Sequence, residues 1–112
     1  MNDQFGLKPE IIQKIQTVLA AFPKIEEAVL YGSRAKGNYK NGSDIDLTLK
    51  CSRDAEQTNS TCISLTEVSV ALDELDLPYT FDLSIYENID NADLIAHIDR
   101  VGVIFYKRED YL

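Results

Sequence analysis

The sequence predicts an α+β domain, a mixed β-sheet of about four strands covered by helices. Two segments carry the strand part of that prediction. Residues 44–50 alternate Ile45, Leu47 and Leu49 with Asp44, Asp46 and Thr48, and residues 80–85 alternate Phe81, Leu83 and Ile85 with Thr80, Asp82 and Ser84. Both have the period of two of a half-buried strand. The helical part rests on apolar residues spaced three and four apart elsewhere in the chain. With 112 residues there is room for one core, so residues 1–112 are read as a single domain.

The elements follow in order. Ile11, Ile12, Ile15, Val18, Leu19 and Phe22 make one apolar stripe on a helix over 9–22, opened by Pro9 and closed by Pro23. Residues 28–31 are short, apolar and followed by Gly32, a strand end; residues 33–36 have space for one helical turn before Gly37. The strand over 44–50 comes next, then a polar stretch, 52–60, expected as a surface loop. Leu65, Val68, Leu72 and Leu75 restore helical spacing over 64–75, with Ser64 and Glu67 placed as a capping box. After the strand around 81–85, Asn91 caps a last helix running through Leu94, Ile95, Ile98 and Val101, and Gly102 stops it. Residues 103–106 form a fourth strand, and a mobile charged tail is expected after Lys107.

Composition narrows the function classes. An apolar fraction of 45% with 27% charged residues is that of a folded globular chain, which excludes disorder, collagen and coiled coil. No apolar run approaches the roughly 20 residues of a membrane span. The first ten residues lack the basic start and apolar core of a secretory signal. A cytoplasmic location is therefore expected, with Cys51 and Cys62 as reduced thiols. A net charge of −8 opposes direct nucleic-acid binding, which needs a basic face. If this chain binds phosphates, cations must mediate.

The stretch "LYGSRAKGNYKNGSDIDL", residues 30–47, supplies such a means. Alternate strand residues sit about 6–7 Å apart on one face, so Asp44 and Asp46 repel unless something positive lies between them. A hard divalent ion, Mg2+ where phosphate oxygens complete the shell, would answer that need. Each has a plainer explanation too, Asp44 as part of a turn and Asp46 as a solvated carboxylate. Asp82 adds weight because it stands mid-strand between apolar neighbours, where a carboxylate is costly unless paired, ligated or solvated. If its strand adjoins 44–50, three carboxylates can converge as a two-metal clamp. Gly32 permits close backbone approach, Ser33 offers a hydroxyl, and Arg34 offers a fixed charge suited to phosphate. The stretch is not a Walker A loop, since Asn38 and Tyr39 stand where Lys and Ser/Thr are needed. Nor is it an EF-hand, since Leu49 stands where glycine is needed.

The run "GSRAKG…SDIDL", with the later Asp82 in "TFDLSIY", resembles the nucleotidyltransferase superfamily typified by DNA polymerase β: Gly-Ser, a gap of about ten residues, Asp-x-Asp, then a third Asp on a later strand. The likeness extends over residues 29–106. Short length and "GSRAKG" resemble its minimal nucleotidyltransferases (MNT proteins), which lack the helical acceptor domain of aminoglycoside nucleotidyltransferases. Lys36, where many relatives have Arg, is the one visible departure.

The resemblance implies a polymerase β-like fold and transfer of AMP from ATP to a hydroxyl. Asp44, Asp46 and Asp82 would be catalytic and would hold magnesium, as two ions when nucleotide is bound. Gly32, Ser33 and Arg34 would bind the phosphates. It further implies a small helical HEPN-domain partner in a toxin–antitoxin pair, with a partner hydroxyl as acceptor. The alternative is a nucleotide-binding subunit that masks its partner without catalysis. Transfer to a small molecule such as an aminoglycoside needs an acceptor pocket that a chain this short can hardly enclose. His97 is expected to pack against the last helix's surroundings or face solvent. Tyr39 and Lys40 are candidates for nucleotide contact, and Asp73, Glu74 and Asp76 for a solvated helix end.

Overall fold

The computed structural model describes residues 5–37, 44–51 and 64–108. Helix α1 (Pro9–Ala20) has proline in its first turn, which loses no hydrogen bond there, and buries Ile12, Ile15 and Leu19. Strand β1 (Ile25–Tyr31) begins three residues before the expected position 28. Glu26 and Glu27 hide this start from an apolar pattern; Glu27 lies between Lys50 at 3.9 Å and Lys107 at 3.8 Å on the two flanking strands. The turn after it is α2 (Ser33–Lys36), a single helical turn ended by Gly37 at φ 89°.

Strand β2 (Ile45–Cys51) leads to helix α3 (Leu65–Asp73), where the Ser64 side chain accepts from the Glu67 N–H at 3.3 Å. Strand β3 (Phe81–Ile85) runs into a 3₁₀ turn (Tyr86–Asn88). Helix α4 (Ala92–Val101) starts on Asn91, whose side chain accepts from the N–H groups of Asp93 and Leu94 at 2.9 and 3.1 Å. Gly102 then turns the chain directly into β4 (Val103–Lys107). A Cβ at Gly102 would collide with the Ile98 carbonyl and the Val29 side chain, so only glycine lets α4 end this close to β1.

The sheet is mixed, in the order β3-β2-β1-β4. β1 pairs antiparallel with both β2 and β4, while β2 and β3 run parallel. Helices α1 and α3 cover one face, where Ile25, Leu30, Ile45, Leu47, Leu49 and Leu72 form the main core. Helix α4 lies on the other face against Val29 and Tyr31 through Ile98. This second face holds the polar residues of β2 and β3, so the period of two separates the core from the chemistry.

Two expectations change. Arg108 belongs to the fold, because its N–H donates to the Glu26 carbonyl at 2.8 Å and its guanidinium reaches the Phe22 carbonyl at 3.1 Å. Its charge satisfies carbonyls left at the turn after α1. Cys51 is disulfide-bonded, not a reduced thiol. Cys62 is the only other cysteine in the chain. Spacing alone could not exclude that bond, because a disulfide asks for proximity in space and not for a CxxC pattern. The expected loop over 52–60, Tyr39, Lys40, Cys62 and the last four residues of the tail lie outside the described residues. No described helix is long and apolar enough to cross a membrane.

Candidate active site

The site lies where β1 ends and β2 and β3 begin. Antiparallel pairing sets Tyr31 opposite Asp46, and parallel pairing sets Asp46 beside Asp82. Directly registered residues share a face, so Tyr31, Asp46 and Asp82 form one row across three strands on the α4 side. Asp44 stands exposed just before β2.

The Asp46 carboxyl is held above the usual carboxylate range, first by burial and then by the charges of Asp82 and Asp44, with His97 opposing. The three aspartates thus act on one electrostatic neighbourhood. Among the described residues no group of three or more His, Cys, Asp or Glu is gathered closely enough to hold a metal ion. Asp46 and Asp82, paired on adjacent strands, are nevertheless hard oxygen donors of the kind magnesium takes.

Gly32 closes the row from the β1 end. Its φ of 81° is left-handed, and a Cβ there would occupy the place of the Asp46 Oδ2 atom. Glycine is required twice over, by conformation and by the approach of Asp46 to the backbone. Ser33 follows, half-exposed, as the first residue of α2.

Arg34, the next residue, is turned inward. Its side chain is 3% exposed, donates from Nη1 to the Phe5 carbonyl at 2.7 Å, and stacks 5.0 Å over the Tyr79 ring. The guanidinium ties the segment before α1 to the turn, a scaffolding role.

Four residues near the carboxylates were missed as site components. Ser84 Oγ donates to Thr48 Oγ1 at 2.9 Å, on the same face and one step further along β2 and β3. The Tyr31 phenol is raised above the ordinary value by burial, with the Ser84 hydroxyl opposing and the charges of Asp82 and Asp46 adding. The His97 ring meets Tyr31 edge-on, with centroids 6.2 Å apart. The alternating pattern already placed Thr48 and Ser84 on the polar face. Tyr31 was hidden by its apolar run, and His97 by lying on a distant helix.

Comparison with known proteins bears on the family and the fold. A family model described as "Polymerase beta, Nucleotidyltransferase" matches residues 13–111. No curated protein matches. A crystal structure described as a toxin–antitoxin with AMP-PNP is similar at a TM-score of 0.63 and 22% identity, over 88% of this chain and 74% of that one. A mutant of the toxin–antitoxin MntA-HpeT is similar at a TM-score of 0.61 and 19% identity, over the same 88% and 74%. At these identities the two likenesses concern the fold.

Proposed function

Because the chain belongs to the polymerase β nucleotidyltransferase family, we propose that it transfers AMP from ATP to a hydroxyl on a helical HEPN-type partner, as an antitoxin. The observation that carries the reading is the register of Asp46 with Asp82, beside a glycine that leaves space for the Asp46 carboxylate alone. The partner is supported by the fold likeness to two proteins described as toxin–antitoxin.

In this mechanism Asp44, Asp46 and Asp82 would hold magnesium, which when bound would supply charge neutralisation to the phosphates. Gly32 N–H and the Ser33 hydroxyl bind phosphate oxygens at the β1 end of the row. Asp82, exposed at the edge strand, accepts the proton of the acceptor hydroxyl. The acceptor oxygen then bonds to the α-phosphorus as the bond to pyrophosphate breaks, in line with the attack. Positioning and charge neutralisation supply most of the acceleration.

The test is incubation of the purified chain with its helical partner, labelled ATP and Mg2+. Label on the partner, lost with Asp46→Asn, is the expected result. Stoichiometric association without label would replace the enzyme by a masking subunit. Label retained in Asp46→Asn would remove the carboxylates from the chemistry.

A further inference from the structure

The turn that carries Gly32 and Ser33 has little to hold its own shape. Helix α2 has four residues, lies between two glycines and has no side-chain cap. The Lys36 N–H donates to the Gly32 carbonyl at 3.1 Å, and the Gly37 N–H to the Ser33 carbonyl at 2.9 Å. Closing a single helical turn fixes several dihedrals for few such bonds, so a lone turn opens readily unless tertiary contacts hold it. Ala35 rests against the core, and Arg34 reaches further. Buried to 3% exposure, Arg34 donates from Nη1 to the Phe5 carbonyl at 2.7 Å and lies 5.0 Å over the Tyr79 ring. A charged donor makes a stronger bond to a carbonyl than a neutral one, and a planar guanidinium can donate in its plane while stacking on its face. The acceptor is itself held in place. Phe5 at φ 58° and Gly6 at φ 74° are consecutive left-handed residues, a conformation costly for phenylalanine. The Phe5 ring lies 6.2 Å from that of Phe105, and Leu7 is fully buried. Packing on both sides of the strained backbone thus fixes where the Phe5 carbonyl stands.

We propose that Arg34 is a positioning residue for the carboxylate row. By fastening α2 to the Phe5 carbonyl and the Tyr79 ring, it sets the Gly32–Ser33 backbone against the Asp46 carboxylate. That approach leaves no space even for a Cβ at Gly32, so a small drift of the turn changes where Asp46 stands. With the fastening lost, turn and carboxylate no longer present one fixed surface to a metal–nucleotide. The inference rests on the proposed transferase reading. It makes residues 5–7 and Tyr79, remote from the reacting atoms, part of what the site requires.

The experiment compares wild type, Arg34→Met, Tyr79→Leu and the double variant at a temperature where melts show each one folded. Amide hydrogen exchange is read residue by residue in the nucleotide-free chain. Manganese binding with a non-hydrolysable ATP analogue is followed by electron paramagnetic resonance, and steady-state transfer is measured alongside. In Arg34→Met the Lys36 and Gly37 N–H groups should exchange about tenfold faster, while Leu47 and Leu49 in β2 keep their wild-type rates. Manganese–nucleotide affinity and kcat should each fall by about tenfold. Tyr79→Leu, which removes the stacking surface, should move all three readouts the same way by less. The double variant should lose no more than Arg34→Met alone, because Tyr79 acts through Arg34. Unchanged exchange beside weakened nucleotide binding would make Arg34 a direct phosphate ligand and overturn the inference. Faster exchange beside unchanged affinity and kcat would leave a stabilising contact alone and overturn it as well. Should Arg34→Met fail to fold, Tyr79→Leu with Arg34 intact decides by the same criteria. Wild type that binds no manganese–nucleotide overturns the transferase reading and this inference with it. Wild type that binds, beside unaffected variants, overturns this inference alone.

Discussion

At neutral pH the Asp46 carboxylate stands half-buried beside Asp82 and in the field of Asp44, and all three influences favour its protonated form. A carboxyl whose folded value is raised binds its proton more tightly in the folded chain than in the unfolded one. Its contribution to stability is therefore fully present below the unfolded value and is lost as pH rises through the folded one. Asp46→Asn, which cannot ionise, should melt at a higher temperature than wild type at pH 7. The advantage should shrink as pH falls and vanish by about pH 3, below the ordinary aspartate value of about 3.9, where folded and unfolded chains both bind the proton. Thermal melts of the two proteins at both pH values check this, and an Asn variant less stable at pH 7 would contradict it. The same substitution should abolish transfer, so stability and activity are exchanged at one side chain. Gly32→Ala is expected to lose both, because its Cβ and the Asp46 carboxylate claim one position.

At the scale of elements, helix α4 is held to its place by its two ends. The Asn91 cap satisfies two N–H groups at its start. Asn91→Ala should cost about 1 kcal/mol in chemical denaturation, with an unchanged m-value. Local elements of this kind were legible in the sequence: Asn91, Ser64, Pro9 and Gly102 act through their immediate neighbours, and the alternation in β2 and β3 names the faces. What depends on distant partners was not legible. Glu27 belongs to β1 because Lys50 and Lys107 flank it from other strands. Arg34 turns inward because Phe5 and Tyr79 stand there. The meeting of Asp46 and Asp82 was conditional on neighbouring strands, and spacing along the chain carries no strand order. Tyr31 reads as a core residue from its own segment and becomes part of the site only through its register with Asp46 and Asp82 on the neighbouring strands.

For the whole molecule, the apolar face of the sheet is common support for every site residue. Leu47, next to Asp46 on β2 and on the opposite face, is fully buried. Leu47→Ala should remove about 2–5 kcal/mol. That is a large part of the roughly 5–15 kcal/mol of a typical domain. Calorimetry would show the midpoint falling by many degrees. A ligand that binds the folded chain alone opposes such a loss: magnesium–ATP at about 100 times its Kd should add about 2.7 kcal/mol to wild type. Asp46→Asn should gain almost nothing from the same addition. A net charge of −8 also predicts that nucleotide added without divalent cations stabilises neither protein.

The parallel register of β2 and β3 has a further meaning for how this chain can vary. One residue inserted or deleted within Phe81–Ile85 would swap the faces of that strand, sending Asp82 into the oily layer and Leu83 or Phe81 out beside Asp46. Changes of length in the connection between the two strands do not shift that register, although helix α3 within it must still present Val68 and Leu72 to the core. The two short strands, by contrast, must be copied residue for residue.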